Sequence, residues 1–354
     1  MVDFQVNYIA GKRLRWAETL YRFEDRHFMF KYLPSAAFLY LPLSCLPLQA
    51  AKLIWYFLII ACSGGIIFIS YRLLPDGDKP KYLMILPLLI TARFFLREIA
   101  LGQINTVVTV TLLIMTLYLA SEAKGAADKR GLYAGLFWGA GVAMKPYALI
   151  FLPYLIIKKK WTPLAAGFGC IAAALIAPAV FYGFQGNFTV LKEWHSTLSR
   201  STPPLLSTLD NISILASFTK WTDDPDFSLI CSAALISLMS ILVLILILKG
   251  RELQRPEVLE CGLCLTVIPL VSPLGWDYTL LSSTLGIMLL IRYFTVFAKF
   301  WRIFLVVNFA VIALAFYDLL GKELYTLFMK WSVTTVNFLV LSGYLAYLRI
   351  KKIC

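Results

Sequence analysis

The chain has 354 residues, 60% of them hydrophobic and 15% charged, with a formal net charge of +13 and a mean hydropathy of +0.77. Soluble domains average about 45–50% apolar and about 25% charged residues, so this composition excludes a water-soluble fold and predicts an all-α polytopic membrane protein. The cations mostly flank apolar runs, where they set topology, so the positive balance is no argument for nucleic acid as a partner.

Met1 is followed at once by polar and charged sequence, so no cleavable signal peptide is visible. Residues 1–49 read as an outer loop. Within them, 11–31 interleave Lys12, Arg13, Arg15, Arg22, Arg26 and Lys31 with Glu18, Glu24 and Asp25. Mixed charges pair in a folded segment, and the cations suit anionic headgroups of membrane lipids or phosphate-bearing lipids. The apolar run 33–48 is broken by Pro42 and Pro47 and reads as an in-plane or re-entrant segment. About eleven membrane segments follow, near 50–71, 82–96, 103–120, 131–144, 146–157, 162–183, 227–248, 257–271, 277–291, 302–320 and 331–348, some close to the ~20 residues a span needs. Residues 184–226 form a large outer loop in this reading, and the whole chain, 1–354, is one integral membrane domain.

Strict alternation gathers the basic loops on one side. They hold Arg72, Lys79 and Lys81; Lys124, Lys129 and Arg130; Lys158, Lys159 and Lys160; Lys249, Arg251 and Arg255; Arg292, Lys299 and Arg302; and the tail Arg349, Lys351 and Lys352. By the positive-inside rule that side is cytoplasmic. The fit needs 131–157 to be two short helices folded back at Lys145-Pro146, where proline disfavours helix at the residue before it. A single kinked span is the alternative, and it would invert everything upstream.

The opposite side collects the unusual residues: the turn from Arg93 to Asn105, Lys145-Pro146, both histidines (His27 and His195), and Ser272-Pro273-Leu274-Gly275-Trp276-Asp277. A charge at mid-bilayer costs roughly 2.5–3.5 kcal/mol. Arg93, Arg97, Glu98 and Lys145 facing lipid together would cost on the order of 10 kcal/mol, so they must pair, reach an interface or line a wet cavity. Gln103, Asn105 and Lys145 open or close apolar helices with no polar loop around them, which makes them site candidates as much as capping residues. The seven cysteines lie mostly in apolar segments and behave as small hydrophobes. Cys261 and Cys264 have redox or zinc spacing but neither a second pair nor a nearby histidine. Asp223, Asp224 and Asp226 cluster around Pro225, which fits a turn before a helix better than a metal site. Asn187-Phe188-Thr189 and Asn211-Ile212-Ser213 fit the N-glycosylation sequon, which matters only in a eukaryotic source.

These motifs in this order resemble glycosyltransferase family 87, of the GT-C architecture, which includes bacterial mannosyl- and arabinofuranosyltransferases. The resemblance rests on Gly102-Gln103-Ile104-Asn105 opening a helix and on Met144-Lys145-Pro146 further along. It also rests on Asp3-Phe4 with Tyr8, Leu20-Tyr21, Tyr32-Leu33-Pro34 and Pro42-Leu43, then Asn211-Ile212-Ser213-Ile214 and Ser272-Pro273-Leu274-Gly275-Trp276. It covers about residues 3–290. Members open with a membrane helix before the Asp-Phe segment, so the expectation is a GT-C-like bundle whose leading helix is missing, from a truncated reading frame or a fragment.

The resemblance implies a hexosyl- or pentosyltransferase, moving sugar from a polyprenyl-phosphate donor to a hydroxyl of a glycolipid or glycan acceptor. The site would be extracytoplasmic, in a bacterial plasma membrane serving the cell envelope. Such chemistry needs a base for the acceptor proton, cations for the departing phosphate and a greasy groove for the prenyl chain. Asp3 is the candidate base. Lys145 is the main phosphate partner, with Arg97 and His195 as others; Gln103, Asn105 and Asn211 are candidates for sugar or substrate binding, and Trp276 for sugar stacking. No metal site is defined and the residues fix no resident cofactor, although a bound divalent ion is compatible with the GT-C architecture. Two other classes stay open. A lipid-linked-sugar transporter or flippase would bring internal repeats or mid-span charges, and no repeat is evident. A non-catalytic scaffold would have no need of Asp3.

Overall fold

Lipid offers no hydrogen bonds, so an apolar backbone there must satisfy its own amides, and in the computed structural model of the protein the apolar runs do so as helix. The structure describes residues 1–75, 77–121, 129–222, 224–249 and 255–352, without the side chains of His27 and Lys249. Lys124, Asp223, Arg251 and Cys354 lie outside the described residues. Among the described residues there is no strand, and extended pairing is limited to the isolated antiparallel bridge between Asn211 and Trp276.

Helix covers each expected apolar segment, but span length does not follow. Leu48–Leu73, Pro225–Leu248 and Val333–Ile350 are long and apolar enough to cross a membrane. Two bent pairs raise the number of candidate spans to at most 5: Trp161–Ile176 with Ala179–Ser201, bent by 88°, and Lys299–Leu314 with Tyr317–Lys330, bent by 105°. The expected eleven is therefore not reached on length and composition. The reason is local: Asn105–Ala120 and Pro146–Ile157 are short, and the segment 162–183 turns away at Pro178. The stretch 184–226 differs from its expectation as a loop, being helical over Ala179–Ser201, Pro203–Leu206 and Ile214–Thr222. Ala179–Ser201 mixes the two kinds of residue, with Phe184 and Phe188 exposed and Asn187, Val190 and Thr197 buried, so its polar residues lower the average hydropathy on which a loop reading rests.

Contacts divide the chain into two units. The first comprises residues 1–65, 97–156 and 160–203; the second comprises 66–96, 157–159 and 204–354.

In the first unit, Lys129–Met144 packs on Trp161–Ile176 through glycines. A Cβ at Gly135 would stand 2.2 Å from the Pro163 carbonyl oxygen, and one at Gly167 would stand 2.2 Å from the Trp138 ring. Only glycine permits that approach, and close backbones are how helices associate in lipid, where the hydrophobic effect offers little. The chain folds back at Lys145, whose backbone is extended. Trp138 Nε1 donates to the Ala148 carbonyl at 3.0 Å. In a continuous helix those residues would stand about 15 Å apart along the axis.

The second unit is built on Pro256–Val271, buried without interruption from Val258 to Leu270. Inside it Glu260 accepts from Arg349 Nη2 at 2.7 Å and faces Lys158 Nζ at 2.9 Å. Pro225–Lys249 is the opposite case, with 11% of its apolar window buried and side chains that read as lipid-facing.

Candidate active site

The first unit holds the densest set of candidates. Tyr82–Leu101 ends at Gly102, which takes φ +74°, and the amides of Gly102 and Gln103 both return to the Glu98 carbonyl, at 2.9 and 3.1 Å. That left-handed closure needs glycine. The position also needs to be small, because a Cβ there would meet Phe4 Cβ at 2.7 Å. Phe4 belongs to Val2–Arg15, and it sits against Trp55, whose indole donates to the Gly102 carbonyl at 2.9 Å. Tyr40 completes this packing, 4.8 Å from the Trp55 ring, and its hydroxyl accepts from Asn7 at 3.1 Å. The aromatic cluster brings the first turn of Val2–Arg15, and with it Asp3, onto the Gly102 turn.

A chain of polar contacts follows. Gln103 Nε2 donates to Asp3 Oδ2 at 2.7 Å, while Gln103 Oε1 accepts from the Tyr32 hydroxyl at 2.9 Å. With the hydroxyl donating to one end of the amide and a carboxylate accepting at the other, the Gln103 orientation is determined. Asn105 repeats the device. Its Nδ2 donates to Glu98 Oε2 at 2.8 Å, and its Oδ1 accepts from Lys145 Nζ at 2.8 Å and from Tyr147 at 3.2 Å. Glu98, wholly buried, also accepts the Thr106 amide at 3.0 Å. Asn105 thus connects a buried anion to an ammonium without letting the two touch.

Lys145 is half-buried, 5.2 Å from the Tyr32 ring centroid and 5.8 Å from that of Tyr147. Burial pulls its ammonium below the usual lysine range, with the Glu98 and Asp3 carboxylates opposing. Lys31 is shifted the same way by burial and opposed by Asp3, which puts a second cation in the field of that carboxylate. The arrangement offers a half-exposed carboxylate held by an amide beside two cations. That is the equipment for deprotonating one group and neutralising another.

The structure therefore brings Asp3, Gln103, Asn105 and Lys145 into one network. Arg97 lies half-buried beside Glu98 in the same unit. His195 is exposed on Ala179–Ser201, and its neighbour Trp194 donates to the Lys31 carbonyl at 3.2 Å. Sequence reasoning gave no site role to Lys31, Tyr32, Tyr147 or Glu98. Lys31 carried a signal as one of the cations suited to phosphate-bearing lipids, Tyr32 as part of the Tyr32-Leu33-Pro34 motif, and Glu98 as an anion in an apolar run that had to find partners.

Asn211 and Trp276 meet elsewhere, in the second unit. Asn211 is fully buried; its Oδ1 accepts the amides of Ser213 and Gly275, each at 3.0 Å, and its Nδ2 donates to the Pro273 carbonyl at 3.0 Å. Its capacity is spent on backbone, so it staples the Ser272–Trp276 turn. A Cβ at Gly275 would stand 2.0 Å from the Pro269 carbonyl oxygen. Trp276 is half-buried and stacks on Tyr278, centroids 6.4 Å apart and planes at 12°. Among the described residues no group of three or more His, Cys, Asp or Glu side chains is arranged to hold a metal ion.

No curated protein matches the chain, and no solved structure does either. The sequence model of glycosyltransferase family 87 matches residues 30–273, which is well over half of the chain and contains every member of the polar network except Asp3. The chain belongs to glycosyltransferase family 87.

Proposed function

We propose that this membrane glycosyltransferase takes its sugar from a polyprenyl-phosphate donor and passes it to a hydroxyl of a lipid or glycan acceptor on the extracytoplasmic side. Asp3 is the base. The acceptor oxygen attacks the anomeric carbon as its proton passes to the Asp3 carboxylate. The bond from that carbon to the phosphate oxygen breaks, and the phosphate leaves carrying the electron pair. Lys145, with Arg97, meets the growing phosphate charge, and Gln103 keeps Asp3 oriented. Asn105 and buried Glu98 hold the ammonium in place. The observation that carries the reading is the path from Asp3 to Asn105: hydrogen bonds from Asp3 through Gln103 to Tyr32, a cation–aromatic contact from Tyr32 to Lys145, and a hydrogen bond from Lys145 to Asn105.

The test is mass-spectrometric lipid profiling of a strain deleted for the gene and complemented with wild type or Asp3→Asn. The expected result is loss of one glycosylated product with build-up of its shorter precursor, reversed by wild type alone. Equal rescue by both removes Asp3 as base.

A further inference from the structure

Outside the Asp3 network the first unit contains an open cleft of about 600 Å³, within the ~300–1,000 Å³ common for small-ligand sites. One wall is Thr19–Glu24 and the other is the Lys192–Thr197 face of Ala179–Ser201. The lining sets the carboxylates of Glu24 and Glu193 and the Phe23 ring among the cations Arg22 and Lys192. Phe23 is 47% exposed, with the Arg200 guanidinium 4.9 Å from its centroid. Glu24 is exposed. One carboxylate oxygen of Glu193 is buried with no hydrogen-bond partner among the described residues. An acceptor atom left in that state is destabilising until a donor reaches it.

The cleft is tied to the catalytic network through two adjacent residues. Tyr21, in the cleft wall, donates from its hydroxyl to the Tyr32 carbonyl at 2.6 Å, and Trp194, next to Glu193, donates to the Lys31 carbonyl at 3.2 Å. Lys31 and Tyr32 then reach the other way: Tyr32 donates to Gln103, and Lys31 lies in the field of Asp3. A molecule in the cleft is thus one peptide segment away from the base.

We propose that this cleft binds the glycan portion of the acceptor, with Glu193 and Glu24 accepting hydrogen bonds from sugar hydroxyls and Phe23 stacking on a ring face. The inference rests on the transferase reading and adds to it a separate place where the sugars of the acceptor are held. Saturation-transfer NMR on the full-length protein in lipid nanodiscs tests it, with methyl glycosides of common hexoses and pentoses and their disaccharides as probes. Wild type is expected to bind at least one probe in the millimolar range, and Glu193→Gln to weaken it about 10-fold. Phe23→Ala, at a position 47% exposed, is expected to weaken it about 5-fold. Asp3→Asn should bind as wild type does. Wild type binding no probe, or both cleft variants binding normally, overturns the proposal. Transfer surviving in Asp3→Asn with sugar binding intact overturns the base assignment alone, which keeps the two failures distinct.

Discussion

Two clusters of polar side chains, one in each unit, both held site candidates on sequence, and they differ in what their groups have left to give. Around Asn211 each donor and acceptor of the amide meets backbone, and the result is a rigid turn. Around Asn105 the amide meets ions, with Glu98 on one side and Lys145 on the other, and the ammonium stays half-buried between two aromatic rings. Saturated amides stabilise a fold, whereas charges held near a surface with balanced partners can answer to a ligand. The Glu260 cluster in the second unit marks the other limit: Arg349 and Lys158 contact the carboxylate directly, and both it and the guanidinium are 3% exposed. Buried pairs of that kind contribute little net stability but are costly to break, because a lone charge remains.

The comparison breaks first at Asp3. Asp3→Asn is expected to lower transfer about 10²- to 10⁴-fold, the range of a lost general base, with unchanged membrane insertion; assays on isolated membranes with a polyprenyl-phosphate sugar read it. A smaller loss with a raised KM would make Asp3 a binding group. Lys145→Ala comes next, with donor KM up roughly 10- to 100-fold, as the loss of a charged hydrogen bond of about 1.5–3 kcal/mol requires. Asn211→Ala should act on stability and leave chemistry alone. It removes the acceptor for two buried amides and is expected to cost about 1–3 kcal/mol, seen as a lower melting temperature with unchanged turnover per folded molecule. Changed kinetics there would return Asn211 to the substrate site.

The smallest effect is in the pH profile. Lys145 must be protonated to meet phosphate, and its burial moves deprotonation to lower pH than in an exposed lysine. Donor use should therefore decline as pH rises, over a range below the ordinary lysine value. Lys145→Arg, charged throughout, should shift that alkaline limb upward. An unmoved limb assigns it to another group.

Parts of this were legible in the residues. The Gly102-Gln103-Ile104-Asn105 turn and the break at Lys145-Pro146 mark backbone conformations that only certain residue types allow, so they could be placed before any fold was known. The helical nature of 184–226 was hidden because its faces average to loop-like polarity. The partners of Glu98 were hidden too: a run of charges shows that pairing must occur, not with what.

Composition and hydrophobic run length are summed along the chain, so the sequence by itself determined a helical membrane protein and the polar breaks at Gly102-Gln103 and Lys145-Pro146, but not the bends inside 162–183 and 302–320. Which of those polar residues meet depends on contacts between residues far apart in the chain. Asp3 lies 100 positions from Gln103, and Asn105 lies 40 from Lys145. Their meeting follows from a glycine, Gly102, that lets Phe4 close on its turn and from another, Gly141, that brings the helix before Lys145 against Leu112 and Thr111 of Asn105–Ala120. The tertiary structure alone decided that Asn105 became part of a charged site and Asn211 part of a turn, because an amide's role is set by whether its neighbours are ions or backbone.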